Sequence, residues 1–129
     1  MIYCDSSAVV KLVIEERFST ELAAFLKTES SQISSELMRT EVLREIARYS
    51  PQALPRAREA AGRFALLSVS TAILDVAGRL QPAYLRTLDA IHIATALAVQ
   101  SELEAFVSYD DRQLEAASAL GLPVLAPGR

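Results

Sequence analysis

The sequence predicts an α/β protein, a three-layer α/β/α domain built on a parallel, mostly five-stranded sheet. Short apolar runs alternate with longer segments of helical period, and the alternation repeats five times along the chain. Strands that alternate with helices are joined by crossovers, so they lie parallel with both faces covered by helices. Chain chirality makes those crossovers right-handed. With 129 residues, 51% hydrophobic and 22% charged, the chain is long enough for one core and reads as a folded protein. No repeat, low-complexity tract or linker divides it, so residues 1–129 are expected to form one domain.

Met1 to Cys4 is an apolar run of strand length, and Ser7 to Ile14 a short helix with Ser6 or Ser7 as its cap. Ser19 or Thr20 caps a second helix through Lys27. Gln32 to Ser34 is a brief strand, and Ser35 starts a helix that runs to about Tyr49, broken at Pro51. Pro55 suits the first turn of the next helix, which ends near Phe64. Leu66 to Val69 is a third strand, and Thr71 caps a helix to Leu80. Gln81 to Arg86 contains Pro82 and reads as a loop. Thr87 then caps an apolar helix from Leu88 to Gln100. Ala105 to Ser108 is a fourth strand, and Asp111 to Leu120 a helix stopped by Gly121. Val124-Leu125 is the last short strand.

Composition narrows the function classes. The formal net charge of −3 gives no bulk support to a nucleic-acid partner. A single cysteine, Cys4, rules out an intrachain disulfide and argues against a cysteine-based zinc site; in its apolar run it reads as a small buried hydrophobe. No basic segment precedes a long apolar one at the start, and Ala90 to Val99 is too short to cross a bilayer. A cytoplasmic protein without a membrane role is expected. Basic residues concentrate between Arg39 and Arg63, where Arg39, Arg44, Arg48, Arg56, Arg58 and Arg63 face Glu41, Glu45 and Glu59. That helical pair suits a phosphate backbone, an acidic partner peptide, or simply a solvated face laced with ion pairs.

In an open parallel sheet, ligands bind beyond the carboxyl ends of the strands. Asp5 directly follows the first strand and Asp110 the fourth. Asp89 stands in the first turn of the helix after the Pro82 loop, and Glu41 one and a half turns into the helix after the second strand. Singly, each has a plain structural reading: Asp5 as a cap, Asp89 as a helix-dipole partner, Glu41 as a solvated charge, Asp110 or Asp111 as the cap of the last helix. Together, four acids converge on one end of one sheet. Convergent carboxylates repel, so they hold a proton or attract a cation. Mg²⁺ or Mn²⁺ suits oxygen ligands of this kind, and a phosphodiester would complete the coordination.

Four segments carry a family resemblance: Met1-Ile-Tyr-Cys-Asp5-Ser-Ser-Ala, Ser35-Glu-Leu-Met-Arg-Thr-Glu41-Val-Leu-Arg44, Leu88-Asp89-Ala-Ile-His-Ile-Ala-Thr-Ala96, and Val107-Ser-Tyr-Asp110-Asp-Arg-Gln-Leu-Glu-Ala-Ala117 with the following Leu120-to-Gly128 stretch. In that order and spacing the chain resembles a PIN-domain ribonuclease, the toxin component of bacterial VapBC-type toxin–antitoxin systems, over essentially its whole length. The resemblance implies a PIN-like fold and an endoribonuclease that hydrolyses RNA and inhibits growth. Asp5, Glu41, Asp89 and Asp110 would be its catalytic, metal-binding carboxylates, with Asp5, Asp89 and Asp110 the direct or water-mediated ligands of Mg²⁺ or Mn²⁺. Ser108 would support the site by hydrogen bonding, with Ser6 as a further neighbour. It also implies a homodimer and a cognate antitoxin whose C-terminal segment crosses the helical pair and blocks the site. Mean hydropathy of +0.23 fits a protein with apolar surface to cover. Asp111 is an alternative to Asp110 and Glu36 to Glu41. His92 belongs to the helical motif rather than to the acid cluster, as a packing or hydrogen-bonding residue.

A receiver domain would need an acceptor Asp after the third strand and a late lysine; here that strand ends Ser68-Val69-Ser70, and no lysine follows Lys27. An aspartyl-nucleophile phosphatase would carry a second Asp two positions after Asp5, where this chain has Ser7. The serious alternative is a catalytically silent PIN-like module that binds RNA or protein.

Overall fold

The structure, a computed structural model, describes residues 1–29 and 31–129. Five strands, β1 (Ile2–Cys4), β2 (Gln32–Ser35), β3 (Ala65–Leu67), β4 (Ala105–Val107) and β5 (Val124–Leu125), form one sheet in the order β3-β2-β1-β4-β5. Every pairing is parallel. Seven helices cover it: α1 (Ser6–Val13), α2 (Ser19–Lys27), α3 (Leu37–Tyr49), α4 (Leu54–Ala61), α5 (Thr71–Arg79), α6 (Thr87–Leu97) and α7 (Asp111–Ala119). This is the expected three-layer α/β/α fold.

The strand alternation sorts the core into two faces. Ile2, Cys4, Ala105 and Val107 pack with Val9, Leu22, Met38, Val42 and Ile46 beneath α1 to α4. Tyr3, Ile33 and Phe106 face the other way, against Ile93, Ala96 and Ala117 of α6 and α7. Tyr3 and Phe106 stack with ring centroids 5.3 Å apart. Ala90 to Ala96 are all buried, as an all-round apolar helix requires. By contrast, α5 buries no residue completely. Parallel pairing registers Cys4 opposite Val107, and Asp5 N continues the ladder to Val107 O at 2.9 Å. The central strand β1 and its neighbour β4 therefore end level, and Asp5 and Asp110 emerge on the same edge.

Helix starts differ from the expected caps. Of the candidates Asp5, Ser6 and Ser7 it is Asp5 that caps α1, and Ser70, not Thr71, caps α5. Asp110, not Asp111, caps α7. Helix α2 begins behind Phe18, which has φ +71° and no side-chain capping bond; Ser19 instead accepts Glu16 N through its hydroxyl. Arg86 precedes α6 in extended conformation, so Thr87 is already helical. Ser35 ends β2 and accepts Leu37 N at 3.2 Å, which delays α3 by two residues. Helix α4 stops at Ala61 and leaves Phe64 outside it, buried in the core. Helix α6 stops at Leu97, and Gln100 lies in a separate 3-10 turn.

Ile93 is fully buried and central to the α6 face. Ile93→Ala is expected to cost about 2–5 kcal/mol, read as a lower urea midpoint with an unchanged slope. Truncating half-exposed Leu74 is expected to move the midpoint far less.

Candidate active site

Two of the four acids are held by the helices they start. Asp5 is almost fully buried; its Oδ2 accepts Ser7 N at 3.0 Å and its Oδ1 accepts Gln113 Nε2 at 3.2 Å. Asp110 Oδ1 accepts Arg112 N and Gln113 N at 3.0 and 3.2 Å, which turns Oδ2 outward. Capping and site-forming are thus the same act. Satisfying the helix N-terminus locks one oxygen and aims the other. Ser108 ties the two caps together: its hydroxyl donates to Gln113 Oε1 at 2.7 Å and accepts Asp110 N at 3.1 Å.

Glu41 and Asp89 come from the flanking helix layers. All four carboxylates line one cavity of about 340 Å³ with Ser6, Ser7, Lys11 and Arg86. Within it each acid shares a counter-group with another. Arg86 donates from Nε to Asp89 Oδ2 and from Nη2 to Asp110 Oδ2, both at 3.2 Å. His92 Nε2 lies 2.5 Å from Glu41 Oε1 and 3.6 Å from Asp5 Oδ1. Ser6 donates a second bond to Glu41 Oε1 at 2.6 Å. On the far side of the imidazole, Tyr3 OH bonds Nδ1 at 2.7 Å.

The expected placement of His92 is corrected by this geometry. It lies on the motif helix α6, wholly buried, yet its ring reaches into the acid cluster. A wholly apolar environment would expel an imidazole, but the carboxylates facing it pay that cost. Burial pulls the His92 pKa down, and the Glu41 hydrogen bond and the Asp5 charge more than reverse this, leaving it raised above 6.5. Asp89 is raised by burial and by the Asp5 charge, against the partial relief that Arg86 supplies. Burial and Asp5 also push the Cys4 thiol well up, which removes it as a nucleophile.

Asp111 is exposed, pairs with Arg129, and does not line the four-acid cavity. Glu36 accepts Val69 N at 2.9 Å, away from the cavity. The six arginines from Arg39 to Arg63 are all exposed. Arg86 and Gln113 were not singled out by sequence reasoning. Both carried a signal: Arg86 lies three residues before Asp89 on the approach to a helix, and Gln113 three residues after a capping Asp, the position of a capping box. Here Gln113 reaches across to Ser108 and Asp5 instead of back to its own cap.

Hard carboxylate oxygens around one cavity are the donor chemistry Mg²⁺ or Mn²⁺ takes. Among the described residues, no three His, Cys, Asp or Glu side chains stand close enough together to enclose a metal ion. Such a cation is held through one or two carboxylates and several waters, so a partly open set fits it.

A family model described as PIN domain matches residues 2–119. Ribonuclease VapC46 of Mycobacterium tuberculosis is 44% identical over 98% of this chain and 97% of its own length. Ribonuclease VapC47 of the same species is 40% identical over 99% and 98%. Among solved structures, a toxin–antitoxin complex from Klebsiella pneumoniae aligns with a TM-score of 0.74 at 23% identity, over 98% of both chains. Mycobacterium tuberculosis VapC20, described as a sarcin–ricin loop cleaving toxin, aligns with a TM-score of 0.76 at 14% identity, over 98% of this chain and 100% of its own.

The His92 and Asp89 shifts both make stability fall as pH rises. A raised His92 contributes fully below 6.5 and loses that contribution as pH passes through its folded value. A raised Asp89 adds a loss that begins above 3.8. In chelator, the melting temperature is expected to decline as pH rises above 3.8 and again above 6.5, and His92→Gln to flatten the second part. Parallel curves for the two proteins would contradict the assignment.

Proposed function

The chain belongs to the VapC branch of the PIN-domain family, and we propose that it is a metal-dependent endoribonuclease acting as the toxin of a toxin–antitoxin pair. The observation that carries this reading is the convergence of Asp5, Glu41, Asp89 and Asp110 on one cavity at the carboxyl ends of β1 and β4. Full-length identity of 40–44% to VapC ribonucleases supports it. One domain, residues 1–129, carries the activity.

Asp5, Asp89 and Asp110 would hold Mg²⁺ or Mn²⁺, directly or through water. The chemistry such an ion would supply there is Lewis acidity, toward a phosphoryl oxygen and toward an attacking water. The chain's own residues prepare the rest. Gln113 and Ser108 fix the orientation of Asp5 and the Asp110 cap. Ser6 and His92 both bond Glu41 through Oε1, leaving Oε2 to accept a water from the cavity. Arg86 balances Asp89 and Asp110 in the absence of a divalent cation, and its guanidinium, largely in solvent, is able to turn toward a phosphate.

The antitoxin's C-terminal segment would cross the α3–α4 pair. Beside it, a groove between α1, α2 and the edge of α4 offers Leu12 and Ile14 with Lys27, Arg56 and Arg63. A second copy of the chain would cover half-exposed Leu74 and Leu88 at the α5–α6 face. No helix among the described residues is long and apolar enough to cross a membrane.

Purified, antitoxin-free protein incubated with total bacterial RNA is expected to give new RNA ends with Mg²⁺ or Mn²⁺, none in EDTA and none with Asp89→Asn. That variant is expected to melt in EDTA no lower than the parent, since it relieves carboxylate repulsion. Absence of metal-dependent ends from folded protein would favour the silent binding module. Arg86→Ala is expected to tighten Mn²⁺ binding several-fold, measured by the spin-resonance signal of free Mn²⁺. Unchanged affinity would show that Arg86 does not compete for the cation's place.

A further inference from the structure

Beside the acid cavity lies a second one of opposite character. It measures about 610 Å³ and is lined by Lys11, Arg17, Phe18, Tyr109, Gly128 and Arg129, with Glu21 packed behind Gly128. Three cations around one hollow stand out in a chain of net charge −3. Lys11 and Tyr109 line both cavities, so the two adjoin at these side chains.

The hollow is built by contacts between distant parts of the chain. Phe18 stacks on Tyr109 with centroids 5.9 Å apart. Lys11 Nζ sits 4.7 Å from the Tyr109 centroid and the Arg17 guanidinium 4.7 Å from that of Phe18. Each ring thus holds a cationic head in place. Tyr109 OH donates to Pro127 O at 2.9 Å and fixes the closing segment. Gly128, at φ +96°, packs so tightly that a Cβ there would meet Phe18 Cδ1 at 2.7 Å. Phe18 itself is held at positive φ, a conformation costly for an aromatic residue. Such strain persists only where surrounding contacts impose it.

Charge and the shared wall with the acid cavity together point to the occupant. We propose that Lys11, Arg17 and Arg129 form a phosphate-binding subsite that carries the RNA backbone next to the bond held at the acid cavity. The subsite rests on the ribonuclease reading and extends it to how the substrate is gripped. Cations rather than bases face the two rings, so the subsite takes phosphate charge and not nucleobase identity. Arg17 is exposed with no carboxylate partner among the described residues. The Lys11 pair with Glu16, at 3.8 Å, is long and partly in solvent, and gives way readily to a phosphate. Arg129, paired with Asp111 and reaching Tyr109 O at 3.4 Å, closes the rim.

The test measures binding with cleavage switched off. In an Asp89→Asn background in EDTA, fluorescent single-stranded RNAs of unrelated sequence are titrated at several salt concentrations. Arg17→Glu together with Lys11→Gln is expected to weaken binding about tenfold, by the same factor for every sequence. The slope of log affinity against log salt is expected to fall by roughly one to two. Arg17→Glu alone keeps Lys11 in its packed position and is expected to give the same change in smaller measure. Arg79→Glu, on α5, serves as a charge-matched control and is expected to leave the titration much closer to the parent. In the parent with metal, Arg17→Glu should raise KM more than it lowers kcat. An unchanged affinity and salt slope overturns the subsite, as does a loss confined to one sequence. Retained RNA binding with lost capture of an acidic peptide would overturn it too, assigning the hollow to a protein. If the parent cleaves no RNA, the enzymatic reading fails, while the binding titration still decides whether this hollow holds phosphate.

Discussion

Mutual repulsion among four carboxylates crowded at one sheet edge is the constraint around which the molecule is organised. The sheet register brings Asp5 and Asp110 out side by side, and the helix layers bring Asp89 and Glu41 to meet them. Left alone, such a cluster would push apart the elements that carry it. Arg86 spans Asp89 and Asp110; His92 spans Glu41 and Asp5. Two cross-links made of charge join α6 to α7 and to the α1–α3 side of the sheet. The same groups that would handle substrate therefore also hold the apical ends of the layers together.

Helix capping supplies the directional precision. A capping carboxylate spends one oxygen on backbone amides and can rotate little afterwards. Asp5 and Asp110 are fixed in this way, and Ser108 with Gln113 locks one cap to the other. Glu41 is oriented by side chains instead, through Ser6 and the Tyr3–His92 pair. A fully buried histidine fixes its position because both ring nitrogens are engaged.

Much of this was legible in the sequence. Apolar runs and helical periods carry the strand and helix order, because periodicity records which face of a segment is buried. The positions of Asp5, Glu41, Asp89 and Asp110 follow from strand ends and helix starts, together with the resemblance that groups them. Less legible was whatever depends on contacts between distant residues. His92 meets Glu41 across 51 positions and Gln113 meets Asp5 across 108, and no local pattern encodes such pairings. The α5 cap was misplaced by one residue and the α1 and α7 caps were left open between neighbours, since adjacent Ser, Thr and Asp residues all have the chemistry to cap. The start of α2 follows a positive-φ phenylalanine, imposed by the packing of residues more than a hundred positions away.

The strand order carries a consequence for the timing of synthesis. Strand β1 is made first yet lies in the middle of the sheet, and its partner β4 comes about a hundred residues later. A ribosome delivers Asp5, Glu41, Asp89 and Asp110 in that sequence, and the sheet edge that aligns the first with the last cannot close until β4 has emerged. Pairings of such long range form late. A growing chain therefore holds Asp5 and Asp110 apart until β4 has emerged, however early Asp5 itself is made.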